Sequence, residues 1–527
     1  MKQKTLFWSV FFVLAGSLLG GVSEHRTAAT TDQVTEDSLR TFTEILSLIE
    51  HRYMEEVEPD ELIYSAIRGI LKDLDPHSNF LDPDAYGAMR EEQRGRFSGL
   101  GIVISKPSVE EPITVISPIQ GTPADRAGIR AGDVISHIEG VETLGMTADQ
   151  AVHRLKGPKG TPVTITVSRP GTEDPLSFTI VRDDISTVSI QHAYLIRPGV
   201  GYIKINNFTR TTHRELQTKL QELRAQGMQN LLLDLRGNPG GLLDQAVKVS
   251  EQFLEKGNLI VYTRGRISGS DQEFRAKARN PEGDLPLIVL VDRSSASASE
   301  IVAGAIQDHD RGLILGKSTW GKGLVQTVYP LNLESALALT TARYFTPSGR
   351  LIQRDYASFE EYLSGRVPDP PTDEREVRLT DGGREVFGGG GITPDIEVDL
   401  QELSPFINRM DRQTFFQFAV QYNSGNRNIS ADSFRITDEI LEEFRQFLIS
   451  REAPATTEEI QENSEYLRVS IKQEIFNGIW GIQAGYKVYA ESDLQIQTAL
   501  GHFEDARELA QLAARREAQL RDGVNFR

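Results

Sequence analysis

Between Gly199 and about Val398, apolar runs of strand length alternate with stretches whose apolar residues recur at helical spacing. Val200 to Ile205, Asn230 to Leu235 and Leu287 to Val291 read as strands, the last two as buried ones. Thr212 to Ala225, Leu242 to Leu254 and Ala298 to Gln307 read as helices. This alternation constrains the region to an α/β core. Ligands in such folds gather at the carboxyl ends of the strands, so the strand-to-helix turns are the places to look for chemistry.

The remaining chain reads as separate regions, in line with about three or four domains for 527 residues. Lys2 and Lys4 precede an apolar run from Leu6 to Val22, so residues 1–23 read as a signal peptide or an N-terminal membrane anchor. That places the bulk of the protein outside the cytoplasmic membrane, in the periplasm or cell envelope. Residues 24–95 form an N-terminal helical region, with Leu39, Phe42, Ile45, Leu46 and Ile49 at helical spacing and a breaker at Leu74 to Ser78. Residues 96–184 carry short β-type runs separated by turn clusters. The core occupies 185–400, with a charged, Pro- and Gly-rich insertion at 352–388 that reads as an exposed lid. From 401 to 527 the pattern is helical again, with Ile440, Leu441, Phe444, Phe447 and Leu448 on one face. The fold class is therefore multidomain α+β with an α/β core. There are 57 basic and 75 acidic residues, a net charge of −18, so no nucleic-acid partner is expected. The absence of cysteine removes thiolate metal sites and cysteine nucleophiles.

Three stretches could carry chemistry. Ser294 to Ile301 follows a buried strand and opens a helix, so a serine hydroxyl there sits beside unpaired helix N–H groups. The competing reading is a plain capping box, Ser297-x-x-Glu300, and four serines leave the attacking one open. None of the nine histidines has a distinctive catalytic context; His309, between Asp308 and Asp310, reads as a solvent-facing helix end. A lysine can act as base if its amine is kept neutral by a dry, carboxylate-free setting. Lys322, in Thr319-Trp-Gly-Lys-Gly-Leu-Val-Gln326, fits that description, with Gln326 able to hold the amine, whereas Lys317 does not. The same segment nearly matches a phosphate-binding loop, but Gly323 replaces the metal-binding hydroxyl and a strand follows. The third stretch is Leu231 to Gly241, a strand ending in Asp234-Leu-Arg-Gly-Asn-Pro-Gly-Gly241. Its amides could complete an oxyanion hole, or it could be a tight connection in which Asp234 and Arg236 pair.

In this order, with Ala342 to Gly349, Gly391 to Asp395, Leu74 to Ser78 and Arg96 to Ile102, these stretches resemble the C-terminal processing peptidases, or tail-specific proteases. The resemblance covers about 38–400. It implies a crotonase-like α/β protease core with an inserted PDZ domain at 96–184. It also implies that the nucleophile is the serine 25 residues before the lysine, which selects Ser297. Lys322 is then the general base, Gln326 its orienting partner, and the amides of Gly241, Gly240 and Ala298 the oxyanion donors. Gly99, Leu100, Gly101 and Ile102 would bind a peptide carboxylate. The strand from Gly101 to Ser105 would pair with the peptide.

The implied function is an extracytoplasmic serine endopeptidase that grips the C-terminal tails of protein substrates, needs no metal or nucleotide cofactor, and cleaves upstream. The alternative is a catalytically idle PDZ scaffold of the cell envelope. The helical ends are the expected place for self-association or for shielding the site.

Overall fold

The computed structural model describes residues 35–524 apart from 278–281, 333, 357, 365–370, 372–373, 400–401 and 426–428. The expected signal or anchor at 1–23 lies outside the described residues. Among the described residues no helix is long and apolar enough to cross a membrane. The chain divides into two compact units, Met1–Pro83 with Val328–Leu339, and Asp84–Thr327 with Thr340–Arg527.

The first unit holds helices over 35–52 and Pro59–Lys72, then the strand Asn79–Leu81, which pairs antiparallel with Ala336–Ala338. The breaker before that strand is closed by Asp75. Its Oδ1 accepts from the His77 and Ser78 amides at 2.8 and 2.9 Å, and its Oδ2 accepts from the Ser78 hydroxyl at 2.6 Å. Leu39, Phe42, Ile45 and Ile49 on the first helix are exposed.

In the second unit, six strands form the core sheet among the described residues. Their order is His192–Arg197, Val200–Lys204, Asn230–Asp234, Leu287–Val291, Leu313–Gly316 and Ile396–Glu397. The first pair is antiparallel and the others are parallel. Successive side chains on a strand point to opposite faces, and here both faces are covered. Leu231, Leu233, Leu287, Val289 and Val291 pack with Leu216, Leu220, Ala246, Val302 and Ile306 of the intervening helices. Leu232, Ile288 and Leu290 face the other way, against Ala490, Ile496, Ala499, Phe503 and Ala506. The second cover is thus made by the C-terminal helices Ile482–Ser492, Leu494–Leu500 and Phe503–Val524. The central runs Leu231–Leu233 and Leu287–Val291 are apolar throughout because neither face meets water.

The β-rich region orders its strands as Ile102–Ser105, Ile113–Pro118, Val134–Ile138, Pro162–Ser168 and Leu176–Val181. The helix Ala148–Leu155 starts at a complete capping box from Thr147 and Gln150. Arg96–Gly99 pairs with Asp183–Ser186, so chain entry and exit are joined. The helix Asp438–Ser450 buries the five residues expected, Ile440, Leu441, Phe444, Phe447 and Leu448. Its bundle abuts the β-rich region: a Cβ on Gly132 would lie 2.6 Å from Val420 Cγ1.

Two expectations are corrected. The 352–388 insertion is not simply an exposed lid. Ile352, Arg354, Tyr362 and Val386 are buried, and Arg384 is drawn in by the buried carboxylate of Asp310 and the half-buried one of Asp395, both at 2.6 Å. His309 does end its helix, but not in solvent: its side chain is only 10% exposed. Nδ1 lies 2.6 Å from Asp381 Oδ2 and Nε2 lies 2.7 Å from the Leu259 carbonyl. Burial lowers the His309 pKa, but these two acceptors outweigh it and the net shift is upward.

Candidate active site

The strands Asn230–Asp234 and Leu287–Val291 are parallel neighbours, so the turns that follow them emerge side by side at one sheet edge. The four serines of the second turn separate by environment. Ser295 is fully buried and its hydroxyl donates to the Leu235 carbonyl at 2.8 Å. Ser299, also fully buried, donates to the Asn238 carbonyl at 3.0 Å. Ser294 is exposed on the turn, its amide on Asp292 Oδ1. Ser297 is half-buried at the start of the helix. The amides of Glu300 and Ile301 bond to its carbonyl, at 2.9 and 3.0 Å. Ser297 is also strained, with φ 53° and ψ −111°. A non-glycine residue held there costs on the order of 1–3 kcal/mol, so the surroundings must enforce it. Of the capping box, the Glu300 side chain does return to the Ser297 amide, at 2.8 Å.

The glycine-rich turn is bolted to the serine turn through Asn238. Its carbonyl accepts from the Ala296 amide at 3.0 Å and from Ser299, and its Nδ2 donates to the Ile205 carbonyl at 2.8 Å. A Cβ on Gly240 would lie 2.7 Å from the Ala296 carbonyl oxygen, 2.8 Å from Ser297 Cβ and 2.9 Å from the Ala298 nitrogen. Only glycine permits that approach. Gly240 is a correction as an oxyanion donor, because its amide donates to Asn238 Oδ1 at 2.9 Å. Its part is clearance. The amides of Gly241 and Ala298 find no acceptor among the described residues. The expected Asp234–Arg236 pair is present, buried, with Nη2 to Oδ2 at 2.7 Å.

Lys322 is half-buried between two glycines that touch the insertion. A Cβ on Gly321 would lie 2.7 Å from Arg354 Cβ, and one on Gly323 2.9 Å from the Gln353 nitrogen. Arg354 donates to the carbonyls of Trp320 and Thr319 at 2.9 and 3.0 Å, and Gln353 Oε1 accepts from the Gly323 amide at 2.9 Å. The Trp320 and Tyr362 rings meet edge to face at 5.7 Å. The root of the insertion thus walls the lysine loop. Gln326 donates to Thr340 Oγ1 at 3.3 Å. Lys317 lies outside this setting, paired with Glu397 and Asp399. A strand, Leu324–Pro330, follows the lysine loop, as the reading against a phosphate site required.

Two residues hold the serine and lysine segments together, and the sequence reading assigned neither this part. Glu300 is fully buried and accepts four hydrogen bonds. Its Oε2 takes the amides of Ser297 at 2.8 Å and Lys322 at 2.9 Å; its Oε1 takes the Gly321 amide at 2.7 Å and the Thr319 hydroxyl at 2.5 Å. Burial raises its pKa to about 7, with the four donors pulling it down. The buried Tyr344 hydroxyl bonds to the Lys322 carbonyl and lies 3.2 Å from the Ser297 carbonyl. Burial pushes that phenol well above its ordinary range. Glu300 had a local signal in the Ser-x-x-Glu spacing; Tyr344 lay in the Ala342 to Gly349 stretch of the resemblance, which gave it no role.

In the β-rich region, Ile102–Ser105 is an edge strand, with one side paired to Ile113–Pro118 and the other open. Just before it, Leu100 is buried and Gly101 has φ 78°, with any Cβ only 2.4 Å from Thr122 Cβ. The amides of Leu100 and Gly101 find no acceptor among the described residues. Gly99 belongs to the strand Arg96–Gly99, and Ile102 opens the edge strand. Lys156 lies over the Phe97 ring at 4.9 Å and pairs with Glu91 at 2.7 Å.

Three family models match: Peptidase family S41 over residues 199–358, PDZ domain over 89–168, and Activating protease CtpB N-terminal domain over 17–85. A carboxy-terminal-processing protease of Bartonella bacilliformis is 41% identical over 357 residues, 67% of this chain and 81% of that one. A carboxyl-terminal-processing protease of Synechocystis is 38% identical, over 54% of this chain and 67% of its own. Among solved structures, the photosystem II D1 C-terminal processing protease is 29% identical with a TM-score of 0.36, over 67% of this chain and 86% of that one.

Proposed function

Since the chain belongs to the carboxyl-terminal-processing proteases, serine peptidases of family S41 that here carry a PDZ domain, we propose that Ser297 is its nucleophile and Lys322 its general base. Ser297 Oγ attacks an amide carbonyl of the substrate as the Lys322 amine takes its proton. The amides of Gly241 and Ala298 receive the oxyanion. Lys322 returns the proton to the leaving amine, and the acyl-enzyme is then hydrolysed by a water that Lys322 deprotonates in turn. Gln326 orients the lysine from the adjacent strand.

The observation that carries this reading is the shared Glu300 oxygen, which accepts from the backbones of both Ser297 and Lys322. It gives a physical reason for two segments 25 residues apart to stay in register. Substrate recognition in this proposal is by the PDZ domain. The terminal carboxylate of a protein substrate meets the amides of Leu100 and Gly101, and its last residues add a strand along Ile102–Ser105. Ser297→Ala and Lys322→Ala should each abolish cleavage of an unfolded protein while leaving the circular dichroism spectrum unchanged. Wild-type rates in either purified variant would overturn the dyad. We further propose that residues 1–23 carry the catalytic part across the cytoplasmic membrane; cell fractionation showing it in the cytoplasm would refute this.

A further inference from the structure

We infer that the helical C-terminal region, which lies beyond the S41 match, contributes a positioning residue to the catalytic turn: Asp493, acting through Arg236. The inference rests on the reading in which the turn Gly237–Gly241 supplies an oxyanion donor. Arg236 is the residue just before that turn, and its guanidinium is buried between two carboxylates. Nη1 donates to Asp493 Oδ1 and Oδ2 at 3.0 and 2.9 Å and to Gln495 Oε1 at 2.9 Å. Nε and Nη2 hold Asp234, which also takes the Arg236 amide at 2.9 Å. The Arg236 carbonyl accepts from Lys204 Nζ at 2.8 Å. Every polar group of Arg236 that the turn could swing on is therefore fixed.

Asp234, Arg236, Asp493 and Gln495 are all buried. The clamp is charge-balanced, with Lys204 and Arg236 against Asp234 and Asp493. A second tie runs from the same helices: the Tyr202 hydroxyl donates to Asp234 Oδ2 at 2.6 Å and lies 2.8 Å from the Tyr486 hydroxyl. Buried ion pairs add little net stability against an apolar alternative, yet losing one partner leaves a charge uncompensated. Their value here is in placement. Misplacing an oxyanion donor by an ångström is worth roughly a hundredfold in rate.

The test uses the full chain. Asp493→Asn keeps the helix cap on the Ile496 amide, because asparagine caps as well as aspartate, while removing the charge facing Arg236 and replacing one of its two acceptor oxygens by an NH2 donor. We expect kcat per titrated active site to fall roughly ten- to a hundredfold with KM within about twofold. Affinity for a tetrahedral peptide-aldehyde inhibitor should fall by the same factor as kcat/KM. Adding Gln495→Glu to Asp493→Asn returns a carboxylate to the same Nη1 and should recover most of kcat. Gln495→Met, which keeps every charge, should lower kcat about threefold in the same direction. A variant that melts earlier but keeps wild-type kcat per active site, or loses activity only through KM, overturns the inference. Ser297→Ala measured in parallel separates the two claims. If it is dead while Asp493→Asn is fully active, the clamp fails and the dyad stands; if it is active, the dyad itself fails.

Discussion

The turn proposed as catalytic and the loop proposed to take a peptide carboxylate both present backbone amides at a glycine-containing bend, yet they are held by different means. Around Gly241 and Ala298 the support is buried charge: Asp234, Arg236, Asp493 and Glu300. Around Leu100 and Gly101 it is backbone and a hydroxyl: the Ala124 amide on the Leu100 carbonyl at 3.0 Å, and the Ile119 amide and Thr122 hydroxyl on the Gly101 carbonyl at 2.9 and 3.1 Å. Charge-assisted bonds are roughly twice as strong as neutral ones and more demanding in geometry. An oxyanion forms for an instant and must find its donors in place. A terminal carboxylate is bound at equilibrium and tolerates adjustment on both sides. The contrast in support matches the two roles proposed for these sites.

Three substitutions sharpen or break this contrast. The largest effect is expected for Gly240→Ala. Its methyl would press on Ser297 and the Ala298 amide, and kcat should fall by more than about a hundredfold with tail affinity unchanged. Retained kcat would show that the catalytic turn is more compliant than described.

Next comes Glu300→Gln. The folded-state pKa of Glu300, about 7, lies above its ordinary value of 4.5, so the folded protein binds the extra proton. The associated stability is present below pH 4.5 and is lost as pH rises through 7, on the order of 3 kcal/mol at most. Melting curves at pH 5 and pH 8 should show that decline in the wild type and lose this component in Glu300→Gln. Equal pH slopes in the two proteins would remove Glu300 from the account.

The smallest effect is expected for Gly101→Ala. The positive φ and the Thr122 contact should weaken binding of a C-terminal peptide about tenfold, while kcat on saturating substrate stays within about twofold. A loss of kcat instead would mean that the two sites are less independent than their supports suggest.

The core was legible because its elements obey local rules. The helices Thr212–Ala225 and Ala298–Asp308 and the strand Leu287–Val291 fall within a residue of where periodicity puts them. Asp234 and Arg236 stand close enough in sequence for their pairing to be weighed. The residues alone left four serines open, and only the family resemblance chose among them; in the structure, burial engages Ser295 and Ser299 elsewhere and leaves Ser294 and Ser297. What escaped is long-range. Tyr344, though inside a stretch of the resemblance, reaches Ser297 and Lys322 across strand pairing, and Asp493 meets Arg236 across 257 positions, so no local rule assigns either its part. His309 and the insertion misled because charge reads as exposure until the opposite charge is found, here on Asp381, Asp310 and Arg384.

The layer of C-terminal helices has a practical consequence for shortening the polypeptide. A version stopped near residue 400 would present Leu232, Ile288 and Leu290 to water as one flat greasy surface. Such a fragment should clump on expression rather than serve as a minimal enzyme, so any trimming for biotechnology belongs in the bundle over 405–480 instead, away from the 352–388 stretch that walls the lysine loop.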